Sequence, residues 1–180
     1  MLLITIPATE KYDEIKGEFL YTKSTTLQLE HSLISISKWE SKWCKPFLGK
    51  QEKTTEEVID YVKCMTLNVN ISDDVYGCLS QANIKAINEY ISAPMTATVF
   101  TEDKNGKRNR EVVTSELIYY WMIALNIPFE CQKWHLNRLL TLIRVCNIKN
   151  APPKKMSKRA TINQYAQLNA ARKKQMNTKG

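Results

Sequence analysis

Residues 32–48 read SLISISKWESKWCKPFL. Leu33, Ile36, Trp39 and Trp43 recur at steps of three and four, which places them on one face of a helix. SLISIS alone also alternates like a strand, so the point where the helix starts stays open. Pro46 stops it at about Cys44, because the residue before a proline is driven out of the helical region. On such a helix the two tryptophans lie one above the other, while Lys38 and Lys42 face water. Three uses fit indoles set among lysines: packing in a core, anchoring a protein partner, and stacking on nucleic-acid bases. Packing ranks first, then anchoring, then stacking. Phe47 and Trp134 join Trp39 and Trp43 as candidate partner-binding residues.

Before this stretch the period is two. LLITIP reads as a strand ending at Pro7, and EFLYT and TLQLE read as further strands, with Gly17 suggesting a turn. Residues 1–30 are therefore expected to form a small antiparallel β element packed on the body.

After it the period stays near 3.6. TTEEVIDYVKCM opens on a capping box, in which Thr54 accepts from the amide of Glu57 and Glu57 reaches back. Val58, Tyr61, Val62 and Met65 then form an apolar stripe. SDDVYGCL reads as one helical turn capped by Ser72. SQANIKAINEYI reads as a helix capped by Ser80, with Ile84, Ile87 and Ile91 inward, ending before Pro94. Asn105-Gly106, the dipeptide of a type I′ turn, lies between β-branched runs and predicts a hairpin over residues 96–113.

SELIYYWMIALN, capped by Thr114 or Ser115, is apolar on nearly every side and is expected to be the central buried helix. FECQKWHLNRLLTLIRVCNI is expected to be a second long helix, with Leu136, Leu139, Leu140 and Ile143 inward. The short Asn126-Ile127-Pro128 link predicts that these two helices pair antiparallel. The reading is thus a mostly α chain of α+β class with a helical core: a β element at 1–30, a helical body at 31–148, and a tail at 149–180.

Bulk numbers agree with that class. The chain has 180 residues, 43% hydrophobic and 24% charged, with only 5 glycines and 6 prolines. A chain this long buries a sufficient core without disulfides or metal. Its five cysteines are odd in number and widely spaced, which points to a reducing cytoplasm. MLLITIP lacks the basic start and length of a signal peptide. No apolar run reaches the roughly 18 residues of a membrane span.

The net charge of +8 is unevenly placed. Residues 131–180 contain twelve Lys and Arg and no Asp or Glu, so the first 130 residues carry a net of −4. The tail places Lys154, Lys155, Lys158, Arg159, Arg172, Lys173 and Lys174 as candidate basic contacts. Such a segment binds phosphates without specificity or docks on an acidic protein surface. Its apolar stripe, Ile162, Tyr165, Ala166 and Leu168, is thin, so it reads as a marginal helix or a disordered tail.

No catalytic constellation emerges. A glycine-rich phosphate loop and a G-x-S-x-G elbow are both missing. The only histidines are His31 and His135. Cys131 and His135 have metal-ligand spacing, yet no second close pair completes a zinc site. Asp73-Asp74 and Glu56-Glu57 are explained as first-turn acids favoured by the helix dipole. No enzyme activity, cofactor or metal is expected.

Three runs carry a likeness to a known family: TTLQLEHSLISISKWESKWCKPFL, TTEEVIDYVKCMT and ELIYYWMIALNIPFECQKWHLNRLLTLIRVCNIKNAPPKK. In this order, over nearly the whole chain, they resemble the tail assembly chaperones of long-tailed, siphovirus-type bacteriophages. The resemblance implies a protein of the host cytoplasm, absent from the mature virion. It implies the tape-measure protein as partner, with the tail-tube protein as a second and self-association left open. Tape-measure segments expose apolar helix stripes, so apolar grooves or anchors able to take a helix are expected, with Trp39, Trp43 and Phe47 near one surface able to supply them. The rival reading is a nucleic-acid-binding accessory protein that acts through the basic tail.

Overall fold

The computed structural model describes residues 1–13, 17–100, 112–152 and 158–176. They form four strands, seven α-helices and one short 3-10 helix, an α+β architecture that is mostly helical. The chain divides into two compact units, Met1–Asn147 and Ile148–Gly180.

The first unit begins with an antiparallel ribbon. Strand β1 (Leu2–Ile6) pairs with β4 (Thr25–Leu29), and β2 (Thr9–Asp13) pairs with β3 (Glu18–Thr22). One register runs through both pairs: Leu2 faces Leu29, Ile6 faces Thr25, Thr9 faces Thr22 and Asp13 faces Glu18. The break falls at Pro7, which has no amide hydrogen to give the ladder. In the inner half Ile4, Ile6, Leu27 and Leu29 are buried and their neighbours are exposed, the period-two burial of a sheet with one wet face. Strand β2 was not expected from TEKYD, which has no apolar alternation. Pairing with β3 holds it.

Helix α1 (Leu33–Trp43) follows, and local hydrogen bonds fix its start. Ser35 donates its amide to the Ser32 hydroxyl at 3.3 Å, and the Ser32 amide donates to the Ser35 hydroxyl at 3.0 Å. This capping box removes the strand alternative for SLISIS. At the other end Cys44 takes a left-handed conformation (φ 51°) and donates its amide to Glu40 at 2.8 Å. Helix α2 (Thr55–Met65) starts on the Thr54–Glu57 box as expected. Ser72 precedes α3 (Asp73–Gly77), but its hydroxyl bonds the Asp74 carboxylate at 3.0 Å rather than a helix amide. Ser80 caps α4 (Gln81–Ser92). Thr114 caps α5 (Ser115–Ala124). Helix α6 covers Leu136–Asn150 and α7 covers Lys158–Met176.

Three expectations change. The hairpin at 96–113 falls largely on residues 101–111, which lie outside the described residues, and 96–100 and 112–113 are not strand. Helix α5 is not a central helix. It buries Ser115, Ile118 and Met122, while Tyr120 and Ile123 are exposed. An all-round apolar sequence says nothing about how many neighbours a helix finds, and α5 packs chiefly on α1. Finally, FECQKWH is not the start of α6. Residues Phe129–Lys133 form the 3-10 helix and Trp134 is extended. Leu136 donates its amide to the His31 carbonyl at 2.7 Å, which pins this bend to the start of α1. The stretch expected as one long helix is therefore split, and α5 and the 3-10 helix both pack on α1.

The core gathers on α1, whose Leu33, Ile36 and Trp39 are fully buried. They meet the inner ribbon, α2 through Tyr61, Val62 and Met65, α5 through Ile118 and Met122, and α6 through Leu136, Leu139 and Ile143. Glu40 joins three segments. Its Oε1 accepts from the Phe47 amide and its Oε2 from the Ser115 amide, both at 2.7 Å. A carboxylate at the first residue of α5 also meets the positive end of that helix. Replacing Glu40 with Ala leaves two buried amides without an acceptor. It is expected to cost about 3 kcal/mol, read as a lower denaturant midpoint with an unchanged slope.

Candidate functional site: an apolar groove between α2 and α4

The two tryptophans of the opening stretch fasten α1 to α2. The Trp39 indole N–H donates to the Glu57 backbone carbonyl at 2.9 Å, and the Trp43 indole N–H donates to Asp60 Oδ2 at 2.9 Å. Their rings stack at 6.2 Å between centroids. Lys42 pairs with Asp60, and Lys45 pairs with Glu57 at 2.5 Å. The Lys45 ammonium, with the Thr54 amide, holds the Glu57 carboxyl below its ordinary range. Burial pushes Asp60 upward, but its bonds to Lys42 and Trp43 outweigh this and leave it lowered.

Of the candidate partner-binding residues, Trp39 lies in the core and Phe47 is buried beside it, 5.2 Å from Trp39 and 4.0 Å from Tyr61 between ring centroids. Packing is the role the structure gives Trp39. Trp43 and Trp134 are half-buried, and the Arg138 guanidinium lies 4.1 Å over the Trp134 ring. Among the tail candidates, Lys154 and Lys155 lie outside the described residues. Lys158 stands in the first turn of α7, and Arg159, Arg172, Lys173 and Lys174 are exposed along it.

Phe47 keeps one edge on a groove of about 240 Å³ between α2 and α4. Val58, Tyr61 and Val62 form one wall; Ile84, Ile87 and Ile91 form the other. Sequence periodicity marked Ile84, Ile87 and Ile91 as inward. Ile87 is buried, but Ile84 and Ile91 are only half-buried because the space between the helices is not filled. The groove continues past Ile84 and Asn88 into a shallow depression on α4 bordered by Lys85 and Glu89. Lys53 stands at the groove with its ammonium 4.4 Å from the Phe47 ring centroid. Burial lowers its pKa, more than the nearby Glu57 raises it. Nothing in the sequence singled out Lys53, since its place depends on how the 44–54 loop returns to α2.

Below the groove His31 and His135 meet at 5.1 Å between ring centroids. His31 Nδ1 shares a 2.5 Å hydrogen bond with the Tyr61 hydroxyl. His135 Nε2 lies 3.0 Å from the Tyr90 carbonyl and donates to it; its Nδ1 accepts from the Asn137 amide at 3.3 Å. Both nitrogens of His135 are thus engaged, and the bend before α6 separates Cys131, in the 3-10 helix, from His135, so the two do not share one helix. Burial, then the second imidazole, pushes His31 down to about 4. Burial also lowers His135.

Comparison of the chain with protein-family models, curated proteins and solved structures gives no match. Among the described residues no helix is long and apolar enough to cross a membrane. The groove offers an apolar seat with the Lys53 ammonium beside it.

Two outcomes follow from this geometry. Folding keeps the histidines neutral, whereas the unfolded chain takes up protons near the ordinary value of 6.5. Stability is therefore full above about pH 6.5 and falls as pH drops to about 4, by about 3 kcal/mol from His31. Denaturant titrations at several pH values read this. Trp39→Ala is expected to cost about 4 kcal/mol, and Trp43→Ala clearly less, in thermal or chemical melts.

Proposed function

We propose that this protein is a tail assembly chaperone of a long-tailed bacteriophage. It binds apolar helical segments of the tape-measure protein in the host cytoplasm, keeps them soluble while the tail tube assembles around them, and is absent from the mature virion. The groove between α2 and α4 carries this reading. Its volume falls below the ~300–1,000 Å³ common for small-molecule pockets, and its walls are two helices with half-buried Val58, Ile84 and Ile91. Such a seat suits a few side chains from one face of an incoming helix. The resemblance of the sequence to these chaperones supplies the partner.

Helix α7 bears on the rival reading. Its bases stand at its two ends, Lys158-Arg159 and Arg172-Lys173-Lys174, and residues 160–171 carry no charge. Ile162, Tyr165 and Leu168 are exposed in that uncharged middle. A helix lying along a nucleic-acid backbone is better served by bases repeated along one face. The arrangement favours a second, salt-sensitive contact with an acidic protein surface.

Co-expression with the tape-measure protein tests the proposal. The intact chain is expected to move the tape measure into the soluble fraction and to stay bound after nuclease treatment. Val58→Asp with Ile84→Asp, at half-exposed groove positions, should abolish this with little change in melting temperature. Removal of residues 149–180 should weaken it only in part. Complete loss on tail removal, together with nuclease-sensitive capture, would favour the nucleic-acid reading instead.

A further inference from the structure

The three buried acids around α1 and α2 are all committed. Glu40 receives the Phe47 and Ser115 amides. Glu57 receives Lys45 through Oε1 and the Thr54 amide through Oε2. Asp60 receives Lys42 and the Trp43 indole. None of them turns to Lys53, and among the described residues no carboxylate lies within ion-pair distance of its ammonium. Lys53 instead lies over aromatic faces, 4.4 Å from the Phe47 centroid and 5.8 Å from that of Trp39, and it is half-buried already. Of the other charges near it, Glu52 and Lys45 are exposed, Glu57 attracts the Lys53 ammonium but is bonded to Lys45, and Lys85 and Glu89 of α4 are exposed along the outer depression.

The Lys53 ammonium has no hydrogen-bonded acid among the described residues, and an apolar side chain that fills the groove would cover it further. Covering an unpaired ammonium is unfavourable unless the incoming surface brings an acceptor, and a carboxylate is the strongest one. We propose that the groove selects an apolar helix with an acidic side chain one turn from its anchors, and that Lys53 is the residue that makes the selection. This rests on reading the groove as a helix seat and adds what the seated helix must carry. On the incoming helix, an acid at position i and apolar residues at i+3, i+4 and i+7 share one face.

The test uses the full chain and two fluorescein-labelled peptides of about 18 residues, long enough to form a helix. Both carry the apolar stripe; one has Glu and the other Gln at position i. Anisotropy titrations at low salt are expected to give about tenfold tighter binding for the Glu peptide. That preference should shrink in high salt. It should vanish in Lys53→Met, which keeps the apolar stem and removes the charge. Equal binding of both peptides to the unaltered chain would overturn the selection by Lys53 and leave the helix seat standing. A Glu preference that survives Lys53→Met, or binding of the Glu peptide that survives Val58→Asp with Ile84→Asp, would place the contact elsewhere and overturn the proposal. Failure of both peptides to bind would overturn the seat together with the selection.

Discussion

Three carboxylates, Glu40, Glu57 and Asp60, are taken out of water around α1, and the body holds because each of them is fully used. Glu40 fastens the 44–49 loop and the first residue of α5 to α1. Glu57 closes the α2 cap and receives Lys45 from that same loop. Asp60 receives the indole of Trp43 and the ammonium of Lys42. A buried charge is tolerated only with such saturation, and the directionality of the bonds fixes how the helices meet. The apolar surfaces of Leu33, Ile36 and Trp39 would bury against many partners; the acids limit them to this one.

The same saturation makes the groove distinctive. Its floor is Phe47 and Tyr61, which are held from behind by Trp39 and the paired histidines. The floor is thus set before anything enters, so an occupant does not have to order it. Above that floor stands Lys53, which among the described residues has no carboxylate within ion-pair distance. Rigidity below and an unmet charge above are the two properties from which a preference for a particular helix can arise.

Local signals in the sequence were legible where the chemistry is local. The Thr54–Glu57 box, the stops at Pro46 and Pro94, the alternation of LLITIP and TLQLE and the period of α4 are all visible within a few residues, and the structure follows them. The Ser32–Ser35 box was overlooked because serine, not glutamate or glutamine, takes the third helical position. Strand β2 was overlooked because its reason for being extended is its partner, β3. Helix α5 was misplaced because apolar composition reports affinity for a core and not the number of neighbours available. The uses of Trp39 and Trp43 could only be ranked, since the acceptors of their indole hydrogens sit on α2, more than fifteen residues away in the chain. Lys53 was invisible for the same reason: a charge is unmatched only with respect to a folded surrounding.

The N-terminal ribbon has a further consequence. Its two halves share one register; the inner half, β1 with β4, has a core beneath it, and on the outer half Phe19 and Tyr21 are exposed. Hydrogen bonds of the same kind therefore sit on very different supports along a single ladder. Amide exchange should grade along it, slow at Ile4 and Leu27, where opening exposes buried side chains, and faster at Phe19 and Tyr21, whose side chains are exposed. The proline that interrupts the ladder thus also marks where cooperative protection of the first unit ends.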